Sequence, residues 1–122
     1  MGIDFKRVDH IMLCIPVGKE QEAREFYTHV LGLKELTDLG FPLPKGAIWY
    51  EIGDIQLHIR PEENHQLSKR HPAFIVSSLD ASRALLESHG VIIKNESPMP
   101  GRIRFSFLDP FCNNIELIEE LQ

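Results

Sequence analysis

Apolar and polar positions change period several times along the chain, and each change marks an element. Residues 8–17 are β-branched and apolar-rich and predict a strand, closed by Pro16 and Gly18. Ala23, Phe26, Tyr27, Val30 and Leu31 then recur at helical spacing, one apolar face of an amphipathic helix. Gly32 stands where a glycine ends a helix. Residues 33–39 predict a strand, and 41–46, with Pro42 and Pro44, a loop. Two further strands, 47–52 and 55–60, flank Gly53-Asp54, a two-residue hairpin signal.

The second half repeats this order. Residues 72–76 predict a short strand, Ser78 a helix cap, and Gly90 the helix end after about His89. Residues 91–95, 102–108 and 114–119 predict strands, separated by a proline loop at 97–101 and a turn at 109–114. The spacing supports a duplication. His58 lies 26 residues after Gly32, and Glu116 lies 26 residues after Gly90. His10 opens one unit and His71 the other, 61 residues apart. The expected organisation is one domain over 1–122, made of two units at about 5–60 and 71–120.

Strand alternation separates two faces. Ile11, Leu13, Ile15, Ile48, Tyr50, Ile52, Leu57, Ile59, Phe105, Phe107 and Ile115 fall on one face, which should pack against both helices. His10, Trp49, Glu51, Gln56, His58, Arg60, His71, Arg104, Ser106 and Glu116 fall on the other. A solvated face is usually rich in Lys, Glu, Thr and Ser; this set of His, Arg and Trp has the composition of a pocket lining.

Composition narrows the partners. The chain has 122 residues, 43% of them hydrophobic, and a formal net charge of −5. Nucleic acid and anionic membrane surfaces attract clustered basic charge, so neither is expected as a partner. No apolar run reaches the ~20 residues of a membrane span, and residues 11–17 are too short for a signal peptide. Two cysteines, Cys14 and Cys112, make no disulfide framework and suit a reduced, cytoplasmic protein.

Imidazoles and carboxylates are ligands for Fe²⁺, Mn²⁺, Ni²⁺ or Zn²⁺, and a site of two His and one carboxylate leaves coordination positions open. His29, His65 and His89 sit in or near helices and the polar linker and are expected to be structural or surface residues. His10, His58, His71 and Glu116 are the candidate ligands, because they hold matching places in the two units. Arg60 and Arg104 are candidates for docking a substrate carboxylate or phosphate, or for salt bridges within the sheet. Trp49 either walls the pocket or packs in the core. Glu51 is either a partner of an arginine or a general base.

The repeated order of strand, helix and three strands resembles the vicinal oxygen chelate superfamily, which includes glyoxalase I, extradiol dioxygenases, fosfomycin-resistance proteins and bleomycin-binding proteins. The residues that carry the resemblance are Val8-Asp9-His10-Ile11, Glu25-Phe26-Tyr27 with Leu31-Gly32-Leu33, the run from Gly53 to His58, His71-Pro72-Ala73-Phe74, and the run from Asp109 to Leu117. The last, an aspartate-proline turn leading to Glu116, is the most specific. The resemblance implies an α+β fold: two βαβββ repeats forming a curved, mostly antiparallel sheet with helices on its outer face. It also implies a homodimer and one divalent metal per cup, with His10, His71 and Glu116 at ligand positions. His58 stands where glyoxalase I carries a Glu, so it would be a fourth ligand or a nearby acid or base. Cys112 replaces a Gly usual in the turn.

The implied activity is metal-dependent: a small oxygenated substrate chelates the ion through two oxygens, in lyase, isomerase or dioxygenase chemistry. The alternative is a drug- or metabolite-binding dimer without catalysis, like the bleomycin resistance proteins.

Overall fold

The computed structural model describes residues 2–122. The first unit contains β1 (His10–Ile15), α1 (Glu20–Arg24) running on as a π-helix (Glu25–Val30), β2 (Lys34–Glu35), β3 (Ile48–Ile52) and β4 (Ile55–Pro61). The second contains β5 (Ala73–Ile75), α2 (Leu79–Ser88), β6 (Ile93–Asn95), β7 (Arg102–Leu108) and β8 (Asn114–Glu120). Each unit builds one four-stranded sheet, in the orders β1-β4-β3-β2 and β5-β8-β7-β6. In both, the first strand lies parallel to the last and the other neighbours are antiparallel. The duplication legible in the spacing is thus a duplication of topology.

Local chemistry explains the elements. The Ser78 hydroxyl accepts a 3.0 Å bond from the Ala81 amide and caps α2. Gly32 and Gly90 carry φ of +74° and +77°, the left-handed conformation that ends a helix and that a Cβ disfavours. The first helix has no side-chain cap and widens midway, where the Leu31 amide reaches back to the Phe26 carbonyl, a step of five residues.

Several boundaries differ from those the sequence predicts. The expected strand over 33–39 shrinks to Lys34–Glu35, the two residues in register with β3, and a last backbone bond from the Leu36 amide to the Trp49 carbonyl ends the contact. β1 loses the ends of the 8–17 segment. Its pairing with β4 begins at His10 and runs out at Ile15, just before Pro16, which has no amide hydrogen to donate.

The core lies on the apolar faces. Ile15, Ile48, Tyr50, Leu57, Ile59, Phe105, Phe107 and Ile115 are buried there with Ala23, Phe26, Tyr27, Leu79 and Leu86 from the helices. Contacts between core faces and turns join the two units. Phe26 packs on Phe107, the Asn113 amide donates to the Cys14 carbonyl at 2.9 Å, and Tyr27 Oη donates to Asp109 at 2.6 Å. The burial removes apolar area from water and leaves the opposite faces of the sheets free.

Candidate functional site

The candidate ligands occupy the same register in both sheets. Met12 is opposite His58, and His10 lies two residues before Met12. Ala73 is opposite Glu116, and His71 lies two residues before Ala73. Parallel pairing of first and last strands therefore sets His10 beside His58, and His71 beside Glu116.

The first pair is a stack. The rings of His10 and His58 lie 4.0 Å apart at 16°. Trp49, opposite His58 across the β3–β4 ladder, stacks on its other side at 3.8 Å and 3°. Phe41 packs against Trp49 at 5.8 Å and 68°. His58 is thus sandwiched between two rings and buried, and its Nε2 meets Gln56 Oε1 at 2.9 Å. That burial, with His10 beside it, holds its imidazole below its ordinary pKa and keeps it neutral. The Asp9 carboxylate accepts from His10 Nδ1 at 2.8 Å, and this bond lowers the Asp9 pKa.

The second pair is polar. His71 Nε2 lies 3.1 Å from Glu116 Oε1, and Arg104 donates to Glu116 Oε2 at 3.1 Å. Arg104 also donates to the Ser97 carbonyl, so its guanidinium is already held within the chain. Arg60 is different: it is exposed and joins none of the ion pairs among the described residues. Glu51 is exposed and unpaired in the same sense. Trp49 belongs to the polar-face stack rather than to the core.

Neutral imidazoles and a carboxylate are the donor chemistry a first-row divalent ion takes. One chain does not gather them. Among the described residues no three His, Cys, Asp or Glu side chains are grouped to hold an ion. Lone pairs lie in the imidazole planes, so the nearly parallel rings of His10 and His58 also do not converge on one point. Each chain offers two half-sets, one per sheet.

The polar face carries the pocket that its composition suggests: about 380 Å³ lies against the His10, His58 and Trp49 rings, with Arg60 at its wall. A second, larger cavity was not legible: about 700 Å³ lies on the apolar side between the units, lined by Ile11, Leu13, Leu57, Phe74 and Leu117 among others. Hydrophobic alternation signalled the apolar faces but not the gap between them. Of the remaining histidines, His29 and His89 are exposed. His65 Nε2 donates to the Phe111 carbonyl at 3.0 Å, which leaves its Nδ1 buried without a partner. No helix among the described residues is long and apolar enough to cross a membrane.

The solved structures share this architecture. A glyoxalase family protein from Bacillus anthracis is 35% identical, with a TM-score of 0.86 over 98% of this chain and 99% of its own. At lower identity the likeness is one of fold. A lactoylglutathione lyase from Agrobacterium tumefaciens is 17% identical, with a TM-score of 0.75 over 95% of both chains. TnmS3, an antibiotic binding protein from Streptomyces, is 21% identical, with a TM-score of 0.74 over 98% of this chain and 99% of its own. No curated protein matches. Residues 7–117 match the Glyoxalase/Bleomycin resistance protein/Dioxygenase superfamily, and with the duplicated βαβββ units they place the chain in that superfamily.

Proposed function

We propose that this protein is a metal-dependent enzyme of the vicinal oxygen chelate type, acting on a small oxygenated molecule as a lyase, isomerase or dioxygenase. The observation that carries this reading is the matched register of the two donor pairs, His10 with His58 and His71 with Glu116. Two protomers complete the site: His10 of one chain, with the stacked His58 beside it as a nearby acid or base, faces the partner subunit's His71 and Glu116. The bound ion, Fe²⁺, Mn²⁺, Ni²⁺ or Zn²⁺, supplies Lewis acidity to the substrate oxygens. The chain's own part is to hold His58 neutral and to keep the Glu116 carboxylate in place through Arg104. Arg60 and Trp49 face the substrate.

The surface supports a homodimer. β1 and β5 are edge strands with one side unpaired, and such edges invite pairing with another chain. The apolar cavity beside them, with Ile3, Phe5 and Val8 exposed in the N-terminal segment, makes an apolar surface of the kind a partner covers. The free thiols Cys14 and Cys112 fit a reducing, cytoplasmic setting.

The Arg104–Glu116 ion pair and the closed ring stack favour a second reading, in which these side chains already satisfy one another and the protein is a small-molecule binder without a metal. Purification without chelator, followed by elemental analysis and a solution mass, decides. A dimer carrying about one ion per chain is expected. A protein that stays metal-free after exposure to each of the four ions loses the enzymatic reading and keeps the binding one.

A further inference from the structure

We propose that residues 3–8 of each protomer add as a strand to the free edge of the partner's β5, so that the two chains exchange N-terminal arms. This rests on the homodimer reading, in which His10 of one chain meets the partner's His71, and it names the segment that holds the dimer together. Within one chain the arm is unused. Residues 2–9 lie in no strand or helix, and all are exposed, Phe5 at 84% and Ile3 at 79%. The chain's own apolar cavity stays unfilled by it: Arg7 and Val8 stand at the rim, and Ile3 and Phe5 beyond them remain in water.

The backbone shows which groups await a partner. Along a strand, alternate residues aim their amide and carbonyl groups to opposite sides. The Asp9 and Ile15 carbonyls accept from the Gln56 and Glu62 amides at 3.1 and 2.8 Å, so odd-numbered positions face β4. Even-numbered ones, Lys6 and Val8 among them when the arm continues β1, face the free edge. The second unit has the opposite parity. The Pro72 carbonyl accepts from Glu116 at 3.0 Å and the Val76 amide donates to Ile118 at 2.8 Å, so Ala73 and Ile75 face the free edge of β5. An antiparallel register with His10 opposite the partner's His71 sets Val8 opposite the partner's Ala73 and Lys6 opposite the partner's Ile75. Each pair joins two residues whose backbone groups point outward. A slip of one residue would join an outward residue to an inward one and turn the side chains to the wrong face.

The side chains agree with that register. By alternation Ile3 and Phe5 share the side of Ile11 and Leu13, which line the apolar cavity. Opposite Phe5 stands the partner's Val76, with the partner's Phe74 next on the same side. Both positions line the cavity and pack against the core. Phe5 and Ile3 therefore enter the mouth of the partner's cavity, whose volume of about 700 Å³ accommodates both. Arg7, the polar residue on that side, is already paired with Asp9 at 3.7 Å. Asp4 and Lys6 fall on the other side, where they pair with each other at 2.8 Å. The two-fold operation repeats each contact, so one dimer gains two added strands and covers the open edge of both β5 strands. Strand addition of this kind draws its affinity from main-chain bonds and its register from alternate side chains in apolar pockets.

Amide hydrogen exchange of the full chain, read residue by residue, tests the pairing. In the dimer the amides of Lys6, Val8, Ala73 and Ile75 should exchange about a hundredfold more slowly than in an unstructured peptide, and that of Arg7 at nearly the peptide rate. Sedimentation of variants tests the energetics. Lys6→Pro removes an amide that faces the partner, whereas Arg7→Pro removes one that faces away. Lys6→Pro and Phe5→Ser should each weaken the dimer by about tenfold or more, and Arg7→Pro by less than about threefold. All three positions are exposed in the single chain, so circular dichroism should find the variants folded. Fast exchange at Val8 and Ala73 in a dimer, an equal effect of the two prolines, or a Phe5→Ser dimer as tight as wild type each overturns the arm exchange and leaves the dimer standing. Protection that persists when the dimer is diluted to monomers puts the arm on its own chain and also overturns it. A wild-type chain that sediments as a monomer at millimolar concentration overturns the dimer reading together with the exchange.

Discussion

Tyr27 Oη donates a 2.6 Å hydrogen bond to Asp109 Oδ2 across 82 positions of sequence, and both groups are buried. Asp109 also accepts from the amides of Phe111 and Asn113 through Oδ1, and from the Asn113 side chain through Oδ2. One carboxylate therefore shapes the turn that delivers β8, and with it Glu116, while the helix of the other unit holds that carboxylate in place. The Asn113 side chain closes the loop by donating to the Cys14 carbonyl at the end of β1. The strand that carries His10 and the strand that carries Glu116 are thus coupled through the turn at 109–113.

Tyr27→Phe removes one hydrogen bond to a buried carboxylate and keeps the ring packing. It should cost about 1.5–3 kcal/mol in urea unfolding at neutral pH. Asp109→Ala removes four acceptor bonds at once and should cost more than Tyr27→Phe. Equal stability of wild type and Tyr27→Phe would mean that the two units are not tied together here.

The same phenol makes the fold sensitive to alkali. Burial and the neighbouring Asp109 push the Tyr27 pKa well above its ordinary value of 10.0. As pH rises past about 10, the unfolded chain gives up this proton while the folded chain keeps it, so stability falls with rising pH. Below that value both states hold the proton and this group adds no pH dependence. Tyr27→Phe should start less stable at neutral pH and lose less on going alkaline. Parallel stability curves for the two proteins would contradict this.

Cys112 adopts φ of +68°, in the left-handed region, and its side chain is exposed. A Cβ there costs about 1–2 kcal/mol, part of which a glycine returns as chain entropy in the unfolded state. Cys112→Gly should stabilise by about 1 kcal/mol and raise the melting temperature by a few degrees, read by thermal melting. An unchanged or lower melting temperature would show that the turn relieves the strain elsewhere.

Gly46 carries the opposite constraint. Its φ is +80°, and an added Cβ would lie 2.8 Å from both the Glu20 side chain and the Pro61 ring. Proline cannot give way as a flexible chain does. Gly46→Ala should therefore destabilise by about 1–3 kcal/mol, combining the backbone cost with overpacking, as urea unfolding would show.

Much of this architecture is legible in the residues, because the period of the pattern carries it. The spacing from Gly32 to His58 and from Gly90 to Glu116 reflects a true repeat of topology. Alternation along β3 and β4 placed Trp49, Gln56 and His58 on one face, where they are. The limits of β2 were not legible: 33–39 is apolar enough for a strand, yet backbone bonding to β3 ends at Leu36. Nor did alternation reveal that Trp49, His58 and His10 stack as a ladder, because ring orientation depends on rotamers and cross-strand neighbours. Arg104 and Arg60 look alike in sequence; only the fold separates the one that Glu116 engages from the one left free.

Sharing of the site between chains has a test that no single variant provides. One mutant chain carries His10→Ala with His58→Ala, and a second carries His71→Ala with Glu116→Gln. Alone, each should form dimers that hold no metal. When the two are unfolded together, refolded and allowed to assort, about half the dimers combine one chain of each kind. In such a dimer the intact halves meet at one of the two sites and the damaged halves at the other. Metal content should therefore return to about a quarter of the wild-type value per chain, measured by elemental analysis after dialysis. A site built within one chain predicts no recovery, since every chain in the mixture lacks half of its donors. Recovery in the mixture, against none in either parent, would place the partner's residues in the coordination sphere without reference to activity.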